Sequence, residues 1–226
     1  SGVPVSQPAS APWASISQTS ASAAASAACS GCHLITEAEW MTIAADVASV
    51  DSNWSGGSVG SGYVYSGHND GSPSNTLAAS ADDTKGYTGT GNSSGKQRRT
   101  LTLSNGEVIW DLAGNLTEWT SATIAGGQQP GPASESSYAI KQWTNATIQW
   151  NGLPSTSRPS ALPGQAATWS SSQGIGQLKS RKNESTIHAY ARGGDLGDGN
   201  FAGILALSLE EETATPYSWV GFRVAR

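Results

Sequence analysis

Charged residues are scarce in this 226-residue chain. They make up 13% of it, and the 12 Lys and Arg residues are outnumbered by 17 Asp and Glu residues. The resulting formal net charge of −5 disfavours nucleic acid as a partner, because binding to phosphate backbones depends on basic surface. Two short basic clusters, at residues 95–99 and 178–182, are interpreted as solvated loops.

Long apolar runs are also missing. No stretch reaches the roughly 18 apolar residues of a membrane-spanning helix, and no charged-then-apolar leader opens the chain. We therefore expect no membrane span in this chain, and neither a leader nor an anchor within it. The low content of Lys and Glu beside abundant Ser, Thr and Gly favours an extracellular protein on a cell surface or a virion surface.

Cysteine is nearly absent as well. Cys29 and Cys32 form a single C-x-x-C pair, which is compatible with a local disulfide or with two free thiols. A zinc site would need a distant fourth ligand even if His33 took part. The other histidines, His68 and His188, are far apart in the sequence, and no spacing indicates a catalytic triad.

Glycine and bulky aromatic residues are abundant instead, with 27 Gly, 9 Trp and 6 Tyr. Glycine mixed with Ser and Thr favours loops and short strands, whereas the dispersed aromatic side chains supply anchors for a packed core. No repeat or linker divides the sequence. We predict one α+β domain over residues 1–226, with residues 1–18 as an extended lead-in.

Two helices are predicted near the N-terminus. The alanine-rich stretch 19–29 favours a helix that begins at an N-cap on Thr19. A second helix begins with a capping box formed by Thr36 and Glu39. In this helix one apolar face is formed by residues at helical spacing, which are Trp40, Ile43, Ala44 and Val47.

Short strands are predicted from alternation of apolar and polar residues. Asn105-Gly106 is a hairpin turn signal, and after it Val108, Trp110 and Leu112 share one face. The other predicted strands cover residues 62–67, 203–209 and 219–226, and in the last of these Val220, Phe222 and Val224 alternate inward.

The segment ARGGDLGDGNFAG, residues 191–203, follows neither a helical nor a strand period. Its glycines and alanines form a frame, and side chains of very different chemistry are attached between them. A backbone that is fixed by glycine turns tolerates almost any side chain that points to solvent. The segment is therefore a candidate for a surface whose side chains serve recognition.

Four motifs occur in a fixed order: HLITEAEWMTIA (33–44), NGEVIWDLAGNLTEWTS (105–121), ARGG (191–194) and VGFRVAR (220–226). Together they resemble the formylglycine-generating, sulfatase-modifying family with its C-type-lectin-like fold. Within it, the chain is most similar to the variable proteins of diversity-generating retroelements. The resemblance implies a C-type-lectin-like fold of two N-terminal helices, short twisted antiparallel strands and long packed loops.

The resemblance also implies a function. Variable proteins of this type are ligand-binding proteins whose C-terminal segment is diversified, here residues 183–226. The conserved frame of the family matches Gly193, Gly194, Gly199, Ala202, Gly203, Gly221, Phe222 and Arg223. The positions that such proteins diversify correspond to Asp195, Leu196, Gly197, Asp198, Asn200, Phe201, Leu205, Ser208, Glu210, Glu211, Tyr217 and Trp219.

These residues predict a surface that binds a protein or glycan on a cell or virion, with a monomer favoured as the oligomeric state. Phe201, Tyr217 and Trp219 are the expected aromatic anchors, and Asp195, Asp198 and Asn200 the expected polar contacts. The alternative is an ordinary polar loop over residues 195–201, with Phe201 in the core. The acidic run 210–212 fits the resemblance less well than the rest.

Catalysis is not expected. The oxidases of this family use a pair of cysteines after the RGG motif, and this chain has no cysteine after Cys32. Thr117 also departs from the aromatic or small apolar residue that is usual there. The alternatives are an enzyme of this family that has lost its cysteine pair, a carbohydrate-binding surface domain, or a structural appendage.

No cofactor is expected, although calcium is considered. Relatives of the modifying enzymes hold Ca²⁺ near a turn of the form GN.EW, and Asn115 and Glu118 match that turn. Oxygen ligands from a tight turn suit calcium. In the alternative interpretation, the two side chains hold the turn by hydrogen bonds.

Overall fold

A computed structural model describes residues 2–5, 11–72, 74, 96–162 and 164–226. In these residues two α-helices and ten short strands are found, so the chain is a mixed helix and sheet protein. They are α1 (Gln18–Ala28), β1 (His33–Leu34), α2 (Glu37–Ala48), β2 (Thr100–Thr102), β3 (Val108–Trp110), β4 (Thr117–Ile124), β5 (Ala139–Lys141), β6 (Leu178–Ser180), β7 (His188–Arg192), β8 (Leu207–Ser208), β9 (Val220–Phe222) and β10 (Val224–Ala225). Single 3-10 turns cover Asp51–Asn53, Ser155–Ser157, Pro159–Ala161, Ala166–Thr168, Ser171–Gln173 and Gly199–Phe201.

Helix α2 begins at the predicted capping box. The Thr36 hydroxyl accepts the N–H of Glu39 at 3.2 Å, and the Glu39 carboxylate accepts the N–H of Thr36 at 2.8 Å. Trp40, Ala44 and Val47 are fully buried, because they lie on the one face of the helix that meets the core. The predicted start and apolar face of α2 are therefore confirmed.

Helix α1 begins earlier than predicted. Its N-cap is Ser17, whose hydroxyl accepts the N–H of Ser20 at 3.2 Å. Thr19 is inside the helix, and its N–H donates to the carbonyl oxygen of Thr213 at 3.2 Å. The buried Gln18 amide donates to the carbonyl oxygen of Thr120 at 2.7 Å, a tertiary contact that the local pattern does not reveal.

The hairpin of β2 and β3 turns at Asn105-Gly106, as predicted, with a φ of 87° at Gly106. The predicted common face after the turn is wrong. Asp111 has a left-handed φ of 48°, which ends β3 and breaks the alternation. As a result Val108 is 49% exposed, whereas Leu112 is buried.

Three further strand predictions change. Residues 62–67 form only isolated bridges, because Val64 pairs with Trp54 whereas Ser66 pairs with Gln97. In the apolar run 203–209, only Leu207–Ser208 is a strand, and the preceding residues form a turn. A short apolar run is buried equally well in either conformation, so its pattern does not distinguish them.

The C-terminal stretch 219–226 contains two strands in place of one. Val220 is buried, but Val224 is 37% exposed. The chain changes sheets at Arg223, because β9 pairs with β4 whereas β10 pairs with β1. The predicted inward alternation is therefore lost beyond Phe222.

A six-stranded mixed sheet with the strand order β5-β6-β8-β7-β4-β9 forms the centre. On β4, Trp119 pairs with Ala191 of β7 and with Phe222 of β9, and this face packs against α1. Because side chains alternate along a strand, Glu118 and Arg192 lie on the opposite face, toward α2.

The structure locates the cysteine pair and most of the two basic clusters. Cys29 and Cys32 form a disulfide after α1. The cluster at 178–182 is not a solvated loop, because Leu178–Ser180 is β6 inside the sheet. In the cluster at 95–99, Arg99 forms an ion pair with Asp111. Among the described helices, none is long and apolar enough to cross a membrane.

The capping box of α2 should contribute measurably to the stability of the protein. Thr36→Ala removes the capping hydroxyl, so the free energy of unfolding should fall by about 1 kcal/mol. Urea denaturation followed by tryptophan fluorescence measures this change. Thr42→Ala is the matched control, because its exposed hydroxyl bonds only to Ala38 of the same helix. Equal losses from both variants would show that the cap has no special role.

Candidate functional site

The framed turn, residues 193–203, leaves the sheet at the end of β7. The last residue of that strand, Arg192, is completely buried. Its guanidinium forms an ion pair with Glu37 and donates to the carbonyl oxygens of Leu205 at 2.8 Å and Ser157 at 3.0 Å. The starting point of the framed turn is therefore held by α2 and by two loops.

The glycines of the framed turn are required by its backbone. Gly193 and Gly194 have φ of 89° and 76°, a left-handed conformation that glycine adopts at little cost. A Cβ atom on Gly194 would lie 2.7 Å from the Cα of Ala202, and one on Gly203 would lie 2.1 Å from the backbone nitrogen of Gly176. Close backbone contact thus explains the frame without any appeal to function.

Hydrogen bonds between backbone groups hold the path of the framed turn. Given as N–H donor to carbonyl acceptor, they are Gly114 to Gly193 (3.1 Å), Gly203 to Gly193 (3.1 Å), Leu196 to Asn115 (3.1 Å), Gly71 to Leu196 (2.7 Å) and Gly199 to Asn69 (2.6 Å). Because none of these bonds uses a side chain, most of the path is independent of the side chains that the turn carries.

Five of the predicted surface residues lie on this turn outside the core. Asp195 and Asp198 also support the turn, because the Asp198 carboxylate accepts the N–H of Asp195 at 2.6 Å and the Asp195 carboxylate accepts the N–H of Gly197 at 2.7 Å. Leu196 is partly exposed, and Gly197 and Asn200 are exposed. Leu196 and Asn200 are therefore the positions whose side chains are least restrained, and Gly197 is an exposed position without a side chain.

Four predicted surface residues are buried, which corrects their assignment as surface contacts. Their exposed fractions are 4% for Phe201, 0% for Leu205, 3% for Ser208 and 5% for Glu211. Phe201 ends the 3-10 turn Gly199–Phe201 with its ring in the interior, as in the alternative interpretation. The others are buried because they precede, form or follow β8, a central strand.

Lys179 brings together two parts of the predicted surface that are distant in sequence. Its ammonium forms an ion pair with Glu210. Burial lowers the pKa of Lys179, but the hydrogen bond and charge of Glu210, with the charges of Glu211 and Asp198, outweigh burial and raise it. We call Asp195, Asp198, Glu210 and Glu211, around Lys179, the acidic patch.

Burial also changes the carboxyl groups of the acidic patch. It raises the pKa of Asp198 to about 6, and the charge of Asp195 acts in the same direction. Burial raises the pKa of Glu211, whose Oε2 has no hydrogen-bond partner among the described residues. Since a buried carboxylate is costly without full pairing, both shifts favour the neutral acid.

Two aromatic residues lie beside the acidic patch. Trp219 is 44% exposed, and the centroid of its ring is 5.2 Å from that of Tyr217. Tyr217 also packs on the buried Trp119 at 6.0 Å, and its hydroxyl accepts the N–H of Glu212 at 3.1 Å. Tyr217 is thus fixed to the core, and Trp219 extends from it toward solvent.

The two calcium candidates are engaged by other side chains. Glu118 Oε2 lies 2.5 Å from Arg223 Nε; burial raises the pKa of Glu118 to about 7, against the effect of Arg223. Asn115 donates to the carboxylate of Asp111 at 3.3 Å. Asn115 is thus bonded within its own turn, whereas Glu118 is paired with Arg223 outside that turn. In the described part of the chain, no group of three or more acidic, His or Cys side chains is arranged to hold a metal ion.

A concavity of about 500 Å³ opens on the α2 side of the sheet. Glu37, Ser157 and Tyr190 line it. Arg192 neutralises the Glu37 carboxylate, and burial raises the pKa of Tyr190 to about 12. The Tyr190 hydroxyl in the concavity therefore stays protonated near neutral pH.

No protein-family model matches the chain, and no similar curated protein was found. The resemblance predicted the eight exposed or partly exposed residues of this surface, but it did not predict Lys179, which pairs with one of them, Glu210. The alternation of Leu178, Lys179 and Ser180 was the available signal. It was obscured because the adjacent Arg181 and Lys182 make the stretch resemble a solvated basic loop.

The raised pKa of Asp198 predicts a pH-dependent stability. Between about pH 4 and pH 6 Asp198 retains a proton in the folded state that it has lost in the unfolded state, so its contribution to stability falls as the pH rises through this range. Asp198→Asn keeps the acceptor oxygen and removes the charge. At pH 7 it should be more stable than the wild type by about 1 kcal/mol, after allowance for partial exposure.

Urea denaturation at pH 3.5 and pH 7 measures this difference, which should vanish at the lower pH. Asp51→Asn is the control, because its exposed carboxylate also accepts a backbone N–H, from Val59 at 2.9 Å. The interpretation is wrong if Asp198→Asn is no more stable than the wild type at pH 7.

Proposed function

We propose that this chain is a non-catalytic ligand-binding protein with a C-type-lectin-like fold, of the type diversified by retroelements. Its binding surface comes from residues 183–226. The observation that carries the proposal is the framed turn: its path is held chiefly by backbone hydrogen bonds, while exposed side chains extend from it. Such a backbone admits new side chains without a new fold.

The surface comprises the exposed and partly exposed residues of this segment. They are Asp195, Leu196, Gly197, Asp198, Asn200, Glu210, Tyr217 and Trp219. Trp219 is the principal aromatic anchor, because its large ring packs on Tyr217, which is itself held by the core. The rigid backbone limits the conformational entropy that is lost on binding. The buried Phe201, Leu205, Ser208 and Glu211 support this surface from below.

The two α-helices, the mixed sheet and the long loops support the proposed C-type-lectin-like fold. The Cys29–Cys32 disulfide supports an extracellular, cell-surface or virion-surface location, since disulfides persist in oxidising compartments. The ligand in this proposal is a protein or glycan on such a surface, and it is bound by a monomer of the chain.

An enzymatic role is less well supported. Both cysteines are joined in the disulfide, so neither supplies a thiolate nucleophile. In the concavity near Glu37, the Glu37 carboxylate is paired with Arg192, and burial raises the pKa of Tyr190 to about 12. The proposal therefore contains no catalytic residue and no cofactor.

Two matched libraries test whether the surface tolerates diversity. In the first, Leu196, Gly197, Asn200, Glu210 and Trp219 are randomised together. In the second, five buried residues of the same segment are randomised, namely Phe201, Leu205, Ser208, Glu211 and Val220. Both are displayed on yeast and sorted for resistance to protease.

Most members of the first library should remain folded, because exposed substitutions usually change stability by about 0.5 kcal/mol or less. Few members of the second should fold, because truncating buried aromatic or aliphatic side chains costs about 2–5 kcal/mol each. Selection of the first library on several unrelated purified proteins should yield binders. Similar survival of both libraries would remove the structural basis of the proposal.

The retroelement origin has a separate test at the level of DNA. The region immediately downstream of the gene should contain a near-identical copy of the segment that encodes residues 183–226. The copy should differ mainly at adenines and lie beside a reverse transcriptase gene. Sequencing this region also identifies the positions that vary. If no repeat exists, the chain binds a fixed ligand or none.

A further inference from the structure

The acidic patch has more negative charge than its own cation can neutralise. Asp195, Asp198 and Glu210 contribute three carboxyl groups, and Lys179 contributes one ammonium group; Glu211 is left out of this count, because burial raises its pKa and so favours its neutral form. Lys179 pairs directly with Glu210. The side chain of Lys179 is 32% exposed and that of Glu210 is 41% exposed, so a ligand can reach this pair from solvent.

Glu211 provides an independent indication that a partner is missing. Only 5% of this residue is exposed, and its carboxylate hydrogen-bonds to Ser208 and lies within range of the charges of Glu210 and Lys179. Its other oxygen, Oε2, has no hydrogen-bond partner in the part of the chain that the structure describes. A buried acceptor that remains unpaired is destabilising, and a cation bound beside it would reduce that cost.

The aromatic pair extends the same surface. The Tyr217 hydroxyl accepts the N–H of Glu212 at 3.1 Å, so its ring lies beside the segment that carries Glu210 and Glu211. Trp219 packs on Tyr217 and is exposed. An aromatic face attracts an ammonium or guanidinium group, most strongly when the ring is a tryptophan. Carboxylates and aromatic rings therefore select the same ligand chemistry.

We propose that the ligand of this surface is a basic protein segment, whose Lys or Arg side chains bind between the acidic patch and the Tyr217–Trp219 pair. This inference rests on the proposed function and specifies its ligand. A neutral glycan offers hydroxyl groups, which do not compensate the charge of the carboxylates. A basic segment supplies cations that pair with them and stack on the rings.

The test is a selection of random dodecapeptides, displayed on phage, against the immobilised full chain. Selected peptides are synthesised, and their Kd values are measured by fluorescence anisotropy on the wild type and three variants. Asp195→Asn with Glu210→Gln neutralises the exposed part of the acidic patch. Trp219→Ala removes the aromatic anchor. Asp51→Asn with Glu107→Gln is the control, because it removes the same charge from two exposed residues outside the site.

The selected peptides should be at least twofold enriched in Lys and Arg over the input library. Their Kd should rise about tenfold or more on the double variant of the acidic patch and on Trp219→Ala, a change of about 1.4 kcal/mol in each case. The control variant should bind within about twofold of the wild type. Binding should also weaken as salt is raised, because exposed charges are screened.

The outcomes separate this inference from the proposed function. Peptides that lose binding on Trp219→Ala but are not enriched in Lys and Arg would overturn the inference of a cationic ligand. They would still support the proposed binding surface. Equal losses on the acidic-patch and control variants would show that net charge alone accounts for the attraction. This result would also overturn the inference. Peptides that are unaffected by any variant, or a selection without binders, would contradict the proposed surface itself.

Discussion

The buried ion pair of Arg192 with Glu37 is the interaction on which the site depends. These residues are 155 positions apart, and the same guanidinium donates to Ser157 and Leu205. One side chain therefore connects α2, β7, a 3-10 turn and the residues before β8. A buried charge that loses its partner is strongly destabilising, so the arrangement permits little movement where the framed turn begins.

The framed turn separates two tasks that most binding loops combine. Glycine conformations and backbone hydrogen bonds determine its path, whereas the exposed side chains are available for contact. The separation is incomplete, because the carboxylates of Asp195 and Asp198 also accept backbone N–H groups. At those two positions, Asn is the substitution that keeps the acceptor oxygen. At Leu196 and Asn200 the hydrogen bonds of the turn impose no such restriction.

The pKa values of the carboxyl groups in the acidic patch reflect their position at the boundary between the core and the solvent. Asp198 and Glu211 are buried enough for their pKa values to rise, yet they remain beside exposed groups. Lys179 lies on β6, next to Ser208 of β8 in the sheet, so the sheet itself places its ammonium among the carboxylates. A surface of this kind places charged groups at the edge of a low-dielectric interior, where a charged ligand interacts more strongly than it would in bulk water.

Some features were determined by the sequence alone, because they depend on residues within a few positions of one another. The capping box at Thr36, the hairpin turn at Gly106 and the glycine frame are of this kind. The burial of Phe201 and Glu211, the strand at Leu178–Ser180 and the pairing of Lys179 with Glu210 were decided only by the tertiary structure. Burial and charge pairing depend on which strands become neighbours, and no local pattern of apolar and polar residues contains that information.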